Sequence, residues 1–167
     1  MLRLYREATH DPLTGLLNRG ALIQSLAQVR RANPEQPMSL LMMDLDYFKR
    51  INDQYGHSVG DMVLRQFAQL LRQTVGRADL VARYGGEEFV AVLTNHSKEK
   101  AIALAEDLRK RVETTSVTSH DGEQLNFTVS IGVATLHADE AFDSAARRAD
   151  DRLYEAKKTS RNCVVGV

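Results

Sequence analysis

Apolar residues recur along the chain with two distinct periods. Leu22, Leu26 and Val29 fall at i, i+4 and i+7 and predict a helix, capped by Asn18 and stopped before Pro34. Val63, Phe67 and Leu70, after Gly60, predict a second and longer one. Ala101, Ala105, Leu108 and Val112 mark a third, and Ala146, Ala149, Leu153 and Ala156 the last. Residues 2–8 read as the tail of a helix too short to stand alone. Strand signals lie between. Residues 38–43 are almost continuously apolar, as in a buried central strand. Residues 80–84 and 89–93 flank Gly85-Gly86, a hairpin signal. After the Asp121-Gly122 turn, Leu125, Phe127, Val129, Ile131 and Val133 alternate as one half-buried strand. Residues 47–55 read as a short helix ended by Gly56, and Val164-Val165 as an edge strand. The order α-α-β-α-α-β-β-α-β-β-α-β predicts an α+β domain. Its helices pack on a central, mostly antiparallel sheet of about five strands, with a small peripheral hairpin.

Composition narrows the classes. The 167 residues fit one domain, with 43% apolar and 26% charged residues. Lys+Arg and Asp+Glu are both 22, which argues against a nucleic-acid binder needing a basic surplus. No apolar run approaches the roughly 18 residues of a membrane span, and no signal peptide opens the sequence. The single Cys163 excludes an intramolecular disulfide and any cysteine zinc cluster, so a cytoplasmic location is expected. Tyr5, Phe67, Phe127 and Phe142 read as packing residues, and Cys163 as a small buried apolar group.

Four fragments carry candidate chemistry. Asp44-Leu45-Asp46 sets two carboxylates at the exit of the apolar strand, where a hard cation could find oxygen ligands. Gly85-Gly86-Glu87-Glu88-Phe89 sets two acids after a turn that the glycines would let run at positive φ; in a regular strand the two would point to opposite faces. Asn52 and Asp61 suit guanine, since an Asp can accept from N1–H and N2–H₂ together while adenine would face it with a lone pair. Lys157 and Arg161 would share a helix face if the helix persists that far, and suit a polyphosphate with Lys49 beside them. Each fragment alone also has an ordinary reading: solvated strand ends, a polar hairpin, helix caps, a basic helix C-terminus.

In order along the chain the fragments say more. Asp11-Pro12-Leu13-Thr14-Gly15-Leu16-Leu17-Asn18-Arg19, the run from Asp44 to Asp53, Gly56-His57, Gly60-Asp61 and Arg83-Tyr84-Gly85-Gly86-Glu87-Glu88-Phe89 together resemble the GGDEF family of bacterial diguanylate cyclases. Tyr154-Glu155-Ala156-Lys157 with Arg161-Asn162 is similar to its C-terminal signature. The resemblance implies a palm-like βαββαβ core and the condensation of two GTP into cyclic di-GMP and two pyrophosphates. It implies Mg²⁺ or Mn²⁺, two ions per site, held by Asp44, the Leu45 carbonyl, Glu87 and Glu88. Glu87 or Glu88 then serves as base. Guanine falls to Asn52 and Asp61, with His57 near. Phosphates fall to backbone N–H groups at Tyr47 and Phe48 and to the side chains of Lys49, Lys157 and Arg161. With one GTP per domain, a homodimer facing across a two-fold axis is required. A catalytically silent GTP-binding regulatory domain is the competing reading; its usual mark, loss of the acids, is missing here. Another palm-type nucleotidyl enzyme fits the Asn52/Asp61 pair less well.

The chain departs from the family pattern in places. An inhibitory product site, Arg-x-x-Asp, would need Arg at Gly76; Asp79 is retained and Arg77 falls one residue late. Weak or no product feedback is expected there. Ser160 stands where a glycine is usual, tolerable unless φ is positive. Residues 1–10 read as the stub of a connecting helix and 11–167 as the GGDEF domain. An N-terminal sensor is expected to be missing from this fragment, and the full-length protein could be membrane-anchored.

Overall fold

A computed structural model describes residues 2–167; the side chains of Leu2 and Tyr5 lie outside the described ones. In chain order the elements are α1 (Leu2–Thr9), α2 (Arg19–Ala32), β1 (Met38–Leu45), α3 (Phe48–Tyr55), α4 (His57–Thr74), β2 (Leu80–Arg83) and β3 (Glu88–Thr94). There follow α5 (Lys98–Glu113), β4 (Ser116–Thr118), β5 (Gln124–Asn126), β6 (Val129–Leu136), α6 (Phe142–Thr159) and β7 (Val164–Val165). The main sheet has five strands in the order β2-β3-β1-β6-β7, and β4-β5 form a separate pair. The apolar run is the middle strand: β1 lies antiparallel to both β3 and β6, while β7 joins β6 in parallel. From β1 through α3/α4, β2, β3 and α5 to β6 the chain follows the expected βαββαβ order.

Alternation along the strands sorts the core into two layers. Leu41, Met43 and Leu45 of β1 and Phe89, Ala91 and Leu93 of β3 pack with α3, α4 and α5. Leu40 and Met42, with Val90 and Val92, pack with α2 and α6. By the same parity Asp44 and Glu88 continue the second face. They are register partners across β1 and β3, so the two acids leave the core side by side.

Three local expectations change. The long helix begins at His57, not after Gly60; Gly56, at φ 91°, closes α3 and opens α4 in a backbone region open to glycine. The alternation from Leu125 to Val133 is two strands rather than one. β5 pairs with β4, β6 pairs with β1, and the break falls at the buried Phe127 and at Thr128. Periodicity of two cannot reveal which partner each half takes. Cys163 is half-buried, its Sγ 3.6 Å from the Ala156 carbonyl oxygen. Asn18 does cap α2, accepting from the Ala21 N–H at 2.9 Å. Among the described residues no helix is long and apolar enough to cross a membrane.

Candidate active site

The acids of the turn are held by its backbone. The N–H groups of Tyr84 and Gly85 both donate to the Glu88 carbonyl, at 2.7 and 3.2 Å. Neither Gly85 nor Gly86 has the positive φ expected of it. Gly85 answers a different need: a Cβ there would lie 3.0 Å from Glu88 Oε1, so the glycine leaves room for the folded-back carboxylate. Glu87 precedes β3, and its carbonyl accepts from the Leu45 N–H at 3.3 Å, tying the turn to the end of β1.

Burial raises the pKa of Asp44, of Glu87 and of Glu88. The charge on Asp44 adds to the rise at both glutamates, and Asp150 adds at Glu88. Lys157 works against the rise at Asp44, its Nζ sitting 2.9 Å from Oδ1. Among the described residues no three His, Cys, Asp or Glu side chains are gathered as a ready metal site. The donor set itself is all oxygen and short of positive charge, with Lys157 the cation bonded to Asp44. Those properties fit a hard divalent cation.

Two residues further on, Asp46 is in the opposite electrostatic state. Burial alone would raise its pKa, but Lys157, Thr128 and Ser130 outweigh that and leave it lowered. Lys157 Nζ is 2.8 Å from its Oδ1 and also reaches the Asp44 carbonyl at 3.3 Å. Lys157 and Arg161 do not share a helix face, because α6 ends at Thr159. Arg161 and Asn162 instead turn left-handed, at φ 55° and 46°. This swings the Arg161 guanidinium over the Tyr47 ring, 4.6 Å from its centroid, while Arg50 stacks on the same ring at 4.3 Å. Ser160, at φ −141°, is no strain for a serine.

Tyr47 is itself left-handed and gives α3 no side-chain cap, so the first N–H groups of that helix have no such partner. Phe48 is buried beneath, and Lys49 is exposed on the first turn. Further along, α3 meets α4. Asn52 is no helix cap: its Oδ1 is buried and has no partner. It occupies space that only a glycine at position 60 allows, since a Cβ on Gly60 would fall 1.9 Å from that oxygen. Asp61 follows in the first turns of α4, half-buried, and His57 is exposed at its start. An orphaned buried acceptor is a plain demand for a donor.

Other contacts escaped the sequence reading. Arg83 donates from Nη2 and Nε to the Gly86 carbonyl, at 2.7 and 3.1 Å, and pairs through Nη1 with Asp11 at 3.2 Å. Asp11 in turn accepts from the N–H and hydroxyl of Thr14. The first motif therefore braces the diglycine turn from behind. Its only advance signal was the presence of Asp11 and Arg83 in fixed motifs. Thr128 and Ser130, which serve Asp46, looked like the polar half of an alternating strand.

A five-stranded, mostly antiparallel sheet with acids at the exit of its middle strand and Lys157 reaching them from the last helix defines a palm-like α+β domain. The chain belongs to the GGDEF family: the family described as "Diguanylate cyclase, GGDEF domain" matches residues 8–163. It is similar to Diguanylate cyclase A of Treponema denticola, 47% identical over 131 residues that cover 78% of this chain and 35% of that protein. The response regulator PleD of Caulobacter vibrioides is 44% identical over 163 residues, covering 95% and 36%. Among solved structures, the coiled coil and GGDEF domain of DgcB from Caulobacter crescentus in complex with c-di-GMP superposes with a TM-score of 0.90. It is 30% identical, with 99% of this chain and 89% of that one covered. The chain spans about a third of the length of the curated relatives it matches.

Proposed function

We propose that this domain is a diguanylate cyclase, condensing two GTP into cyclic di-GMP with release of two pyrophosphates. One observation carries the reading: Asp44 and Glu88 sit opposite each other where the middle strands leave the core, both with raised pKa, and Lys157 is bonded to Asp44. Asp44, the Leu45 carbonyl, Glu87 and Glu88 are the groups that would hold Mg²⁺ or Mn²⁺, two ions per site. Such ions neutralise phosphate charge and acidify an attacking hydroxyl.

The chain's own groups do the rest. Asp61 accepts from guanine N1–H and N2–H₂, and the orphaned Asn52 Oδ1 takes a further donor, with His57 at the rim. The unfilled N–H groups at Tyr47 and Phe48, with Lys49, Lys157 and Arg161, hold the triphosphate. The 3′-oxygen of one GTP attacks the α-phosphorus of the other. The bond to the bridging oxygen breaks, and pyrophosphate leaves between Lys157 and Arg161. Glu87 or Glu88 accepts the 3′-OH proton; a carboxylate with a raised pKa is the better base. Each domain holds one GTP, so two chains must face each other, and the rate should climb more steeply than linearly with dilute enzyme.

Incubating concentrated protein with GTP and Mg²⁺ and identifying the nucleotides tests this. Cyclic di-GMP and pyrophosphate are expected. GTP bound but unchanged would favour the silent regulatory domain instead.

A further inference from the structure

Asp46 is only 2% exposed, and its two oxygens are fully occupied. Oδ1 accepts from Ser130 Oγ at 2.7 Å and Lys157 Nζ at 2.8 Å. Oδ2 accepts from Thr128 Oγ1 at 2.7 Å and the Asn162 N–H at 2.9 Å. Four donors on one carboxylate leave no lone pair for a metal ion. The second acid of the Asp44-Leu45-Asp46 run is thus not a copy of the first.

Those four donors come from three parts of the chain: the start of β6, the last turns of α6, and the left-handed turn after it. Through Lys157 Nζ, Asp46 fixes one cation. Through the Asn162 N–H it pins a turn of two consecutive left-handed non-glycine residues, a conformation that persists only when its surroundings enforce it. That turn sends the Arg161 guanidinium over Tyr47. Lys157 also bonds Asp44. When Asp44 takes up another partner, Asp46 still holds the ammonium in place.

We propose that Asp46 is a positioning residue that presets both phosphate-binding cations, Lys157 and Arg161, before substrate arrives. It acts through them and touches no reacting atom. The inference rests on the reading of those two cations as triphosphate contacts, and its test separates the two.

The first arm is binding. A GTP analogue with methylene in place of the α–β bridging oxygen is titrated against guanosine, into the wild type, Asp46→Asn, Lys157→Met and the double variant. Asp46→Asn should weaken the analogue about tenfold or more and guanosine less than about twofold. In the Lys157→Met background the loss should shrink, because both changes remove the same contact. Equal weakening of analogue and guanosine, or a fully additive double variant, would overturn the proposal.

The second arm needs no nucleotide. Stacked 4.6 Å over the Tyr47 ring, Arg161 should show a ring-current-shifted Nε–H resonance in the free protein, and Asp46→Asn should collapse it toward the value of a solvated arginine. An unmoved resonance in a folded variant overturns the proposal. If Asp46→Asn does not fold, the paired change Thr128→Val and Ser130→Ala loosens the same carboxylate, and both readouts apply to it. A wild type that fails to bind the analogue refutes the cyclase reading alone, and the resonance still decides the role of Asp46.

Discussion

The two ends of the β2–β3 hairpin carry acids in opposite situations. At the turn, Glu87 and Glu88 are crowded by burial and by Asp44, with no side-chain donor bonded to either among the described residues. At the far end, Asp79 has both oxygens engaged. Oδ2 takes the Gly76 N–H at 2.7 Å, and Oδ1 takes the N–H and hydroxyl of Thr94 at 2.9 and 3.1 Å. The same residue chemistry thus closes a fold at one end and is left with spare lone pairs at the other. An acid with spare lone pairs and a raised pKa marks a binding place; an acid whose lone pairs are used marks a joint.

The strongest way to break this contrast is at the turn. Asp44→Asn and Glu88→Gln should each lower turnover by about 10²–10⁴, the scale of a lost general base or charge-stabilising group, while melting stays near wild type. Glu87→Gln ranks the base: the larger fall identifies it. Steady-state rates with a melting curve for each variant check this, and a variant within tenfold of wild type would remove that acid from the chemistry.

Next in size is base choice. On the proposed reading the orphaned Asn52 Oδ1 and Asp61 take the guanine edge, so Asp61→Ser should narrow the preference for GTP over ATP by about 10–100-fold, the worth of one or two hydrogen bonds. Competition between the two nucleotides reads it directly; an unchanged ratio would take Asp61 out of the base pocket.

A smaller effect falls on acid stability. Burial would raise the Asp11 pKa, but hydrogen bonds from Thr14 and the Arg83 charge outweigh it and hold it below the ordinary 3.8. Its stabilising contribution is therefore complete above that value and is lost as pH falls through the lower folded one. Denaturation midpoints between pH 6 and 2 should show an acid limb that flattens in Asp11→Asn; a limb of the same steepness in both would place the loss elsewhere.

How much of this could be read from residues alone differs by feature. The buried middle strand and the order of helices were legible, since Met38 to Met43 and the i, i+4 stripes report burial locally. The acids Asp44 and Glu88 were visible at the strand ends, and the structure makes them register partners; Glu87, Asn52 and Asp61 stood out only through the family resemblance. What escaped was long-range partnership. Nothing in Leu125 to Val133 says that half pairs with β4 and half with β1. Nothing in the spacing of Lys157 and Arg161 says that α6 stops between them, and the turn that follows is bonded to Asp46, over a hundred positions earlier. Gly60 and Gly85 were visible as glycines, but their reason, room for Asn52 and for Glu88, exists only in three dimensions.

The weakest perturbation lies at the far end of the hairpin. A feedback site built on Arg-x-x-Asp needs a cation and a free carboxylate on one small turn. Here the first position is Gly76, whose N–H binds Asp79, and Arg77 is exposed one residue on. A product bound there would have to displace the Gly76 and Thr94 donors, and the turn would lose its brace. Added cyclic di-GMP should therefore slow the reaction only by competing at the active site. Asp79→Asn should change that inhibition less than about twofold while lowering stability by about 1 kcal/mol, the net worth of an exchanged hydrogen bond. Inhibition curves with and without the change decide it. Tight, non-competitive inhibition that Asp79→Asn abolishes would mean that Asp79 trades its structural bonds for the product, and the contrast between the two ends would fail.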